Sequence, residues 1–392
     1  MSPSHGWIWT EAATEQVFTW DSDIGRKARE RFPDLTRFPS KTELREAGPE
    51  SLLEGWLPPQ PLILPGSRVL ALGSCFAGHL IEWLVTNGYG RSDDGALVSL
   101  VRNPFENVAV IAQQFRWAFG EVDPASLFWV GKDKKANIAT EEKRLAMRDA
   151  LLEADVFIAT LSMAELWYHQ PSGEPLWRLM LPHVCDLDQF AFRVMSVAQI
   201  VAELETIERI RAQWLSKVRI IYTVSPLPMT ATFRPVSPIT ANTASKAAVR
   251  AALDEFLRAR GDDLNRIYFY FPSYELVNTL PSDPFVGDNR HLQDSVIDTV
   301  LDFFARTYTQ AGREALQAGV PLNWPKANAE SAYIAQLEAW NAELQKVCDE
   351  RLRVIEGLKR ACDERLALIE QLHRAAEPAT HAREERSGDG RC

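Results

Sequence analysis

The sequence predicts an α/β fold built on a mostly parallel sheet, with helices packed on both of its faces. Two observations lead to this prediction. Short runs of β-branched, aromatic and other apolar residues, typical of buried strands, recur along the middle of the chain. Between them lie longer segments whose apolar residues repeat at helical spacing. Strands that alternate with helices in this way favour parallel pairing.

The predicted elements follow one another from residue 69. The first strand, 69–72, runs into a tight turn and a helix that ends at Asn87 and Gly88. A segment rich in aromatic residues, 162–192, interrupts the alternation and is expected to be a long loop or a packed flap. The later predicted strands are 96–101, 156–161, 219–224 and 267–271, and the later predicted helices are 108–119, 141–154, 197–215, 244–258 and 295–308.

The chain divides by composition into four parts. Residues 1–66 are rich in Trp, Pro and charge and predict an irregular arm, whereas 67–312 hold the alternating elements. A tandem repeat then predicts a helical, coiled-coil segment over 330–376, used for self-association or for docking. A long helix folded back on the domain would show the same pattern. The polar end, 377–392, is expected to be disordered.

Charge and cysteine content exclude several classes of protein. The formal net charge is -10 over 392 residues. Nucleic-acid-binding proteins carry a basic stripe, and none is visible in this sequence, which argues against that class. The five cysteines are odd in number and widely spread, which favours reduced thiols. We therefore expect a soluble, cytoplasmic chain without a membrane span, and no motif calls for a metal or another cofactor.

The turn after the first strand carries the clearest chemical signal. Gly73 and Ser74 lead into Cys75, which is therefore expected at the carboxyl end of a strand and the amino end of a helix. Backbone N–H groups and the helix dipole at such a position lower the pKa of a thiol and can hold an oxyanion. The alternative is a small buried cysteine, preceded by a serine that only caps the helix.

His291 is the main candidate for a catalytic base. Asp288 lies three residues before it, close enough to orient the imidazole ring and to stabilise its charged form. The same spacing also occurs in solvated loops. His79, in the helix after the candidate nucleophile, is a local rival, and His169 and His183 lie in the aromatic segment.

Several short motifs occur in a fixed order between about residue 66 and about residue 310. They are Gly73–Ala77, Asn103–Phe105, Thr160–Leu161 with Glu165 and Trp167, Ser225–Pro228 with Thr232 and Phe233, Ser245–Lys246, Tyr270–Glu275, and Asp288 with His291. In this order they resemble the GSCFA family, a branch similar to the SGNH (GDSL-type) hydrolases. The resemblance implies a three-layer α/β/α sandwich.

The resemblance also implies a mechanism. Cys75 stands where the SGNH enzymes carry their serine nucleophile, and its thiolate would attack an acyl carbonyl. His291 would act as base and then as acid, with Asp288 as its orienter and the Cys75 N–H in the oxyanion hole. Water or an acceptor hydroxyl would then resolve the acyl-enzyme.

Two blocks depart from these family patterns. The SGNH pattern has a glycine in its second block and G-x-N-D in its third, but this chain has Asn-Pro-Phe-Glu at 103–106 and Ser-Met-Ala-Glu at 162–165. The GSCFA pattern would have glycine at both Glu106 and Ser162. The asparagine of the oxyanion hole is thus missing from its usual place. The candidates for oxyanion or substrate contacts are Ser74, Asn103, Ser162 and Glu165, with Asn103 as the substitute for the asparagine.

These observations lead to three functional hypotheses. The first is an acyl-ester hydrolase or O-acyltransferase that acts on a small-molecule or glycan acyl ester through the triad. The second is a catalytically weak or inactive binding or scaffold protein that recruits partners in surface-polysaccharide synthesis through its terminal helix. The third is a cysteine-dependent amidase or thioesterase, because the same triad serves these reactions.

Overall fold

The computed structural model of the protein describes residues 23–31, 36, 38–40, 43–44, 47–89, 107–123, 140–176, 188–281, 283–320 and 328–384. Its strands form a four-stranded sheet and a separate two-stranded sheet. The strands are β1 (Val69–Gly73), β2 (Val156–Leu161), β3 (Glu165–His169), β4 (Phe190–Val194), β5 (Arg219–Val224) and β6 (Tyr268–Phe271).

Helices connect and flank these strands. The described residues also include short 3-10 helices at Pro49–Leu53 and Gly261–Asp263. The α-helices are α1 (Asp23–Arg31), α2 (Cys75–Thr86), α3 (Val108–Ala118), α4 (Glu141–Glu153), α5 (Val197–Trp214), α6 (Pro238–Arg258), α7 (Ser273–Thr279), α8 (Asp294–Tyr308), α9 (Gln310–Gln317) and α10 (Asn328–Glu384).

The four-stranded sheet is parallel throughout, in the order β1-β2-β5-β6. This confirms the predicted mostly parallel sheet in a mixed α/β fold. The register pairs Gly73 with Thr160 and Leu161 with Val224, so the strands end together at one edge of the sheet. The predicted strand at 96–101 lies outside the described residues.

Alternate strand residues pack against different helices, as the period-two geometry of a strand requires. Tyr222 and Tyr270 belong to one buried cluster with side chains of α3, α4, α5 and α6. Phe269 and Phe271 point to the opposite face, where their rings contact Tyr308 of α8 at 6.4 and 6.0 Å between centroids. The buried aromatic residues of β6 thus tie helices to both faces of the sheet.

The aromatic segment between β2 and α5 contains regular structure that the sequence did not predict. β3 and β4 pair antiparallel, with Glu165 opposite Val194 and His169 opposite Phe190. Of the two alternatives for 162–192, a long loop or a packed flap, the long loop is therefore wrong for these two strands. About twenty residues separate the strands, so no short turn signals the hairpin, and their pairing depends on contacts distant in sequence.

Helix α6 begins six residues before its predicted start. The Ser237 side chain accepts the N–H of Ile239, and Pro238 occupies the first turn. Proline is favoured there because it lacks only an N–H that would have no partner inside the helix. The prediction missed this turn because the residues from 239 to 243 are mostly β-branched or polar and are weak helix formers.

The described part of the N-terminal arm includes helix α1, which its weak periodicity did not predict. Closer to the sheet, the N–H groups of Leu62 and Ile63 both donate to the Tyr308 carbonyl, at 2.8 and 2.9 Å. The Trp56 ring packs edge-on against Tyr270, with 5.1 Å between centroids. This end of the arm is therefore held by the core helices and strands.

The chain divides into two compact units, residues 1–323 and residues 324–392. In the second unit the described residues form one helix, α10, which spans the predicted helical segment. The helix ends at Glu384, beyond the predicted start of the disordered tail at residue 377; residues 385–392 lie outside the described residues. No helix in the described part of the chain is both long and apolar enough to cross a membrane.

The backbone of Gly73 lies very close to the backbone of Thr160 in the neighbouring strand, and replacing the glycine tests this contact. Its φ is +137°, and a Cβ there would lie 2.1 Å from the Thr160 carbonyl oxygen. We expect Gly73→Ala to lower the free energy of unfolding by about 3 kcal/mol or more. The measurement is urea denaturation followed by circular dichroism.

Gly78 in α2 is the matched control, because an added Cβ there has no neighbour within 4 Å. Gly78→Ala should raise the free energy of unfolding by about 0.5–1 kcal/mol, since alanine is the better helix former. Similar unfolding curves for the two variants would contradict the close approach.

Candidate active site

Hydroxyl and thiol residues follow all four strands of the parallel sheet. Ser74 and Cys75 come after β1, Ser162 after β2, Ser225 after β5 and Ser273 after β6. The four serines are at most 5% exposed. Because the strands end in register, these residues share the carboxyl edge of the sheet, where parallel α/β folds bind their ligands.

The turn after β1 is fixed by backbone contacts. The Ser74 N–H donates to the Thr160 carbonyl at 3.2 Å, which ties the turn to β2. The Ser74 hydroxyl then caps α2 by accepting the Phe76 N–H at 3.3 Å, and its carbonyl accepts the Ala77 N–H at 2.9 Å. Cys75 is the first residue of α2; its side chain lies outside the described part of the structure.

Ser162 contacts a buried lysine that the sequence did not single out as a site residue. Lys246 is only 1% exposed. Its ammonium donates to the Ser225 carbonyl at 2.7 Å and to the Ser162 hydroxyl at 3.3 Å. A buried charge is costly unless it is hydrogen-bonded, and these contacts supply partners from the ends of two neighbouring strands.

A sequence signal for this lysine exists. Lys246 lies three and seven residues before Val249 and Leu253, two core residues of α6. Residues at these spacings share one face of a helix. A lysine on an apolar face is unusual, so it could have been selected as a functional candidate from the periodicity of α6.

The neighbouring Ser245 anchors the connection between β2 and β3. Its hydroxyl accepts the Ala164 N–H at 2.6 Å, and both residues are buried. Helix α6 therefore holds the segment after β2 through Ser245 and Lys246 together.

Glu165 contacts the loop that follows β5. The Thr232 hydroxyl lies 2.9 and 2.8 Å from the two carboxylate oxygens, to which it donates. The Arg234 guanidinium lies 3.9 Å from the same carboxylate, and the Trp167 ring packs edge-on against Phe233 with 5.0 Å between centroids. The structure thus places Glu165 as a contact between the hairpin and this loop.

Asp288 and His291 form a close pair, as their spacing predicted. One Asp288 oxygen accepts the N–H groups of Arg290 and His291, each at 2.9 Å, and the other contacts His291 Nδ1. The His291 N–H, then its ring and then the Arg290 N–H lower the pKa of Asp288 below its usual range. With Nδ1 on the carboxylate, the second ring nitrogen, Nε2, is not engaged by Asp288.

The remaining candidates have separate positions. His79 is exposed on α2, and His169 Nδ1 lies 2.8 Å from the Ser172 hydroxyl in the hairpin. Asn103 and His183 lie outside the described residues. Asp288 bonds to His291 and to the backbone of Arg290, within one loop. In the described part of the chain no group of three or more His, Cys, Asp or Glu side chains could hold a metal ion.

Comparison with known proteins adds one finding. A sequence model of the GSCFA family matches residues 68–304, about three fifths of the chain. The chain belongs to the GSCFA family. The match contains the turn at Gly73 and the Asp288–His291 pair, so both halves of the candidate site lie in the GSCFA domain. A search among curated protein sequences found no match.

Removing the Ser245 hydroxyl tests how α6 supports the site. Ser245→Ala leaves the buried Ala164 N–H without its acceptor, so we expect the free energy of unfolding to fall by about 1–3 kcal/mol. The measurement is chemical denaturation of the full chain. Thr243→Ala, on the exposed side of the same helix, should change the free energy by about 0.5 kcal/mol or less. Equal effects would mean that the Ser245 contact contributes nothing.

Proposed function

We propose that this GSCFA protein is an acyl-ester hydrolase or O-acyltransferase that uses a Cys75–His291–Asp288 triad. The observation that carries the proposal is the tight turn at Gly73, which connects a parallel strand to a helix whose first residue is Cys75. The proposal includes the three-layer SGNH-like fold, and it takes acylated glycans as the substrate class by analogy with SGNH enzymes.

Cys75 is the proposed nucleophile. The positive end of the α2 dipole favours the thiolate over the thiol at this position. In the first step the sulfur bonds to the acyl carbon, and the carbonyl electron pair moves onto oxygen. Collapse of this intermediate expels the alcohol oxygen of the substrate, which takes a proton from His291, and leaves a thioester on Cys75.

His291 is the proposed base and acid. It first takes the thiol proton through Nε2 and then gives it to the leaving alcohol. In the second half it removes a proton from water, or from an acceptor hydroxyl, as that oxygen attacks the thioester. The ionised Asp288 stabilises the imidazolium formed in each half, and the lowered pKa of its carboxyl group supports this role.

The proposed oxyanion hole combines the Cys75 N–H with the Ser162 hydroxyl. The first-turn N–H groups of Phe76 and Ala77 already donate to Ser74, so the Cys75 N–H is the donor assigned to the oxyanion. Ser162 accepts from Lys246, which leaves its hydroxyl proton for donation, since a hydroxyl has one donor and two acceptor positions. Ser162 would thus take the role of the oxyanion-hole asparagine, which the sequence alone assigned to Asn103, a residue outside the described part of the chain.

A scaffold function is the alternative, and one observation favours it. Helix α10 carries many exposed apolar side chains, which fits a protein that works by binding others. An amidase or thioesterase would use the same triad, so rates with matched ester, thioester and amide substrates separate it from the main proposal. Activity confined to amides would reject the esterase assignment.

Trapping of the acyl-enzyme tests the nucleophile and the base. We expect the wild-type protein to acquire one acetyl group from an activated acetate ester, detected by intact mass, and Cys75→Ala to lack this adduct. The rate of formation should fall about 100- to 10,000-fold in His291→Ala, the usual contribution of a positioned base.

Cys348 and Cys362 are exposed and could react nonspecifically, so they supply the control. The double variant Cys348→Ser/Cys362→Ser should acylate as fast as the wild type. A wild-type protein that stays unmodified across short esters and thioesters would reject the triad and favour the scaffold alternative.

Ser162→Ala tests the second oxyanion donor. We expect acylation of Cys75 to slow about 100- to 1000-fold, the usual loss for one oxyanion-hole donor. The measurement is single-turnover acylation followed by intact mass.

Ser225→Ala is its matched control, because this buried serine follows the neighbouring strand and its hydroxyl accepts the Leu227 N–H at 3.3 Å. Its acylation rate should stay near that of the wild type. If Ser162→Ala also retains the wild-type rate, Ser162 has no part in the oxyanion hole.

A further inference from the structure

Helix α10 exposes an apolar line between Cys348 and Ile369. Leu352, Ile355, Leu366 and Ile369 are 51–60% exposed, and Cys348 and Cys362 are also exposed. Leucine and isoleucine side chains so regularly placed on a helix usually pack against another surface.

The spacing of these residues is that of a coiled coil. From Cys348 they recur at alternating intervals of four and three residues, broken by Lys359 alone. The mean interval of 3.5 residues is shorter than the 3.6-residue turn of a straight helix and therefore predicts a left-handed supercoil with a like partner. In heptad notation the line supplies positions a and d, with Cys348, Ile355, Cys362 and Ile369 at d.

We propose that α10 pairs in parallel and in register with α10 of a second copy of this chain, which makes the protein a homodimer. The inference is independent of the proposed chemistry. It concerns α10 alone and does not depend on where the two compact units lie relative to each other.

Charge complementarity selects the second copy and its direction. Arg351 and Arg365 occupy g positions, and in a parallel dimer they face Glu356 and Glu370 at the e positions of the other helix. An antiparallel pair would instead bring the e positions together. These are all acidic: Asp349, Glu356, Asp363 and Glu370. The antiparallel pair is therefore disfavoured by repulsion along the whole interface.

Lys359 supports the same register. It is the single charged residue within the apolar line, and one polar residue at an a position fixes register and oligomer state at some cost in stability. In the parallel, in-register dimer the two Lys359 stems lie at the same level and their amines reach solvent.

Charge reversal in the full-length protein tests the pairing. The wild-type protein should sediment at twice the 44.2 kDa mass of one chain. Glu356→Lys/Glu370→Lys and Arg351→Glu/Arg365→Glu should each dimerise about 10-fold or more weakly, because attractive pairs become repulsive. An equimolar mixture of the two variants should form a heterodimer of wild-type affinity.

Other outcomes would overturn the proposal. A monomeric wild-type chain would exclude the dimer, and a sedimenting mass above that of two chains would exclude a two-chain assembly. Tighter association of Glu356→Lys/Glu370→Lys would mean that the helices are antiparallel. The control Glu350→Lys/Glu364→Lys makes the same charge change at f positions, away from the interface, and should leave the dimer unchanged.

Thiol crosslinking checks the register independently. In a full-length chain with Cys75, Cys185 and Cys392 replaced by serine, a short bis-maleimide should link the two copies through Cys362 even when Cys348 is also serine. A chain whose single cysteine comes from Glu364→Cys should give no covalent dimer, because that position faces solvent. Equal crosslinking at both positions would contradict the register.

Discussion

The close passage of Gly73 beneath the Thr160 carbonyl is the constraint on which the site depends. No side chain fits there, and the φ of +137° lies in a region that L-residues rarely adopt. This conformation lets the chain leave β1 at once, so that the Ser74 N–H bonds to β2 and the Ser74 hydroxyl starts α2. A side chain at Gly73 would separate β1 from β2 and displace the first turn of α2, which carries Cys75.

The second constraint is the burial of Lys246. An isolated ammonium in a protein interior costs several kcal/mol, so the sheet edge must provide its partners. The Ser225 carbonyl and the Ser162 hydroxyl do so from two neighbouring strands. The lysine therefore bridges these two strand ends, and its ammonium also occupies one acceptor position of the Ser162 hydroxyl. One buried charge thus has a structural effect and a direct effect on the proposed oxyanion hole.

The parts of the fold that were predictable from sequence are those set by local patterns. Strands 156–161 and 219–224 have the predicted bounds because most of their residues are apolar and several are β-branched or aromatic. The Asp288–His291 pair could also be predicted, since three residues and a turn bring the two side chains together. The hairpin of β3 and β4 and the contact of Lys246 with Ser162 could not, because their partners lie 21–29 and 84 residues apart in the chain. The Lys246–Ser162 contact is set by the packing of α6 on the sheet, which no local pattern encodes.

The Asp288–His291 loop differs from the sheet edge in how its charge is maintained. Asp288 is held ionised mainly by backbone N–H groups of its own loop. Because the pKa of Asp288 is lowered on folding, the contacts of its carboxylate stabilise the loop above the pKa of an unfolded aspartate, about 4, and this stabilisation is lost as the pH falls further. Near neutral pH the Asp288 carboxylate beside His291 is thus kept ionised by groups of its own loop and needs no contact from the sheet. The sheet edge depends on contacts between distant segments, whereas the loop supplies its charge locally. Substitutions in α6 should therefore disturb Ser162, the proposed oxyanion donor, without changing the ionisation of Asp288.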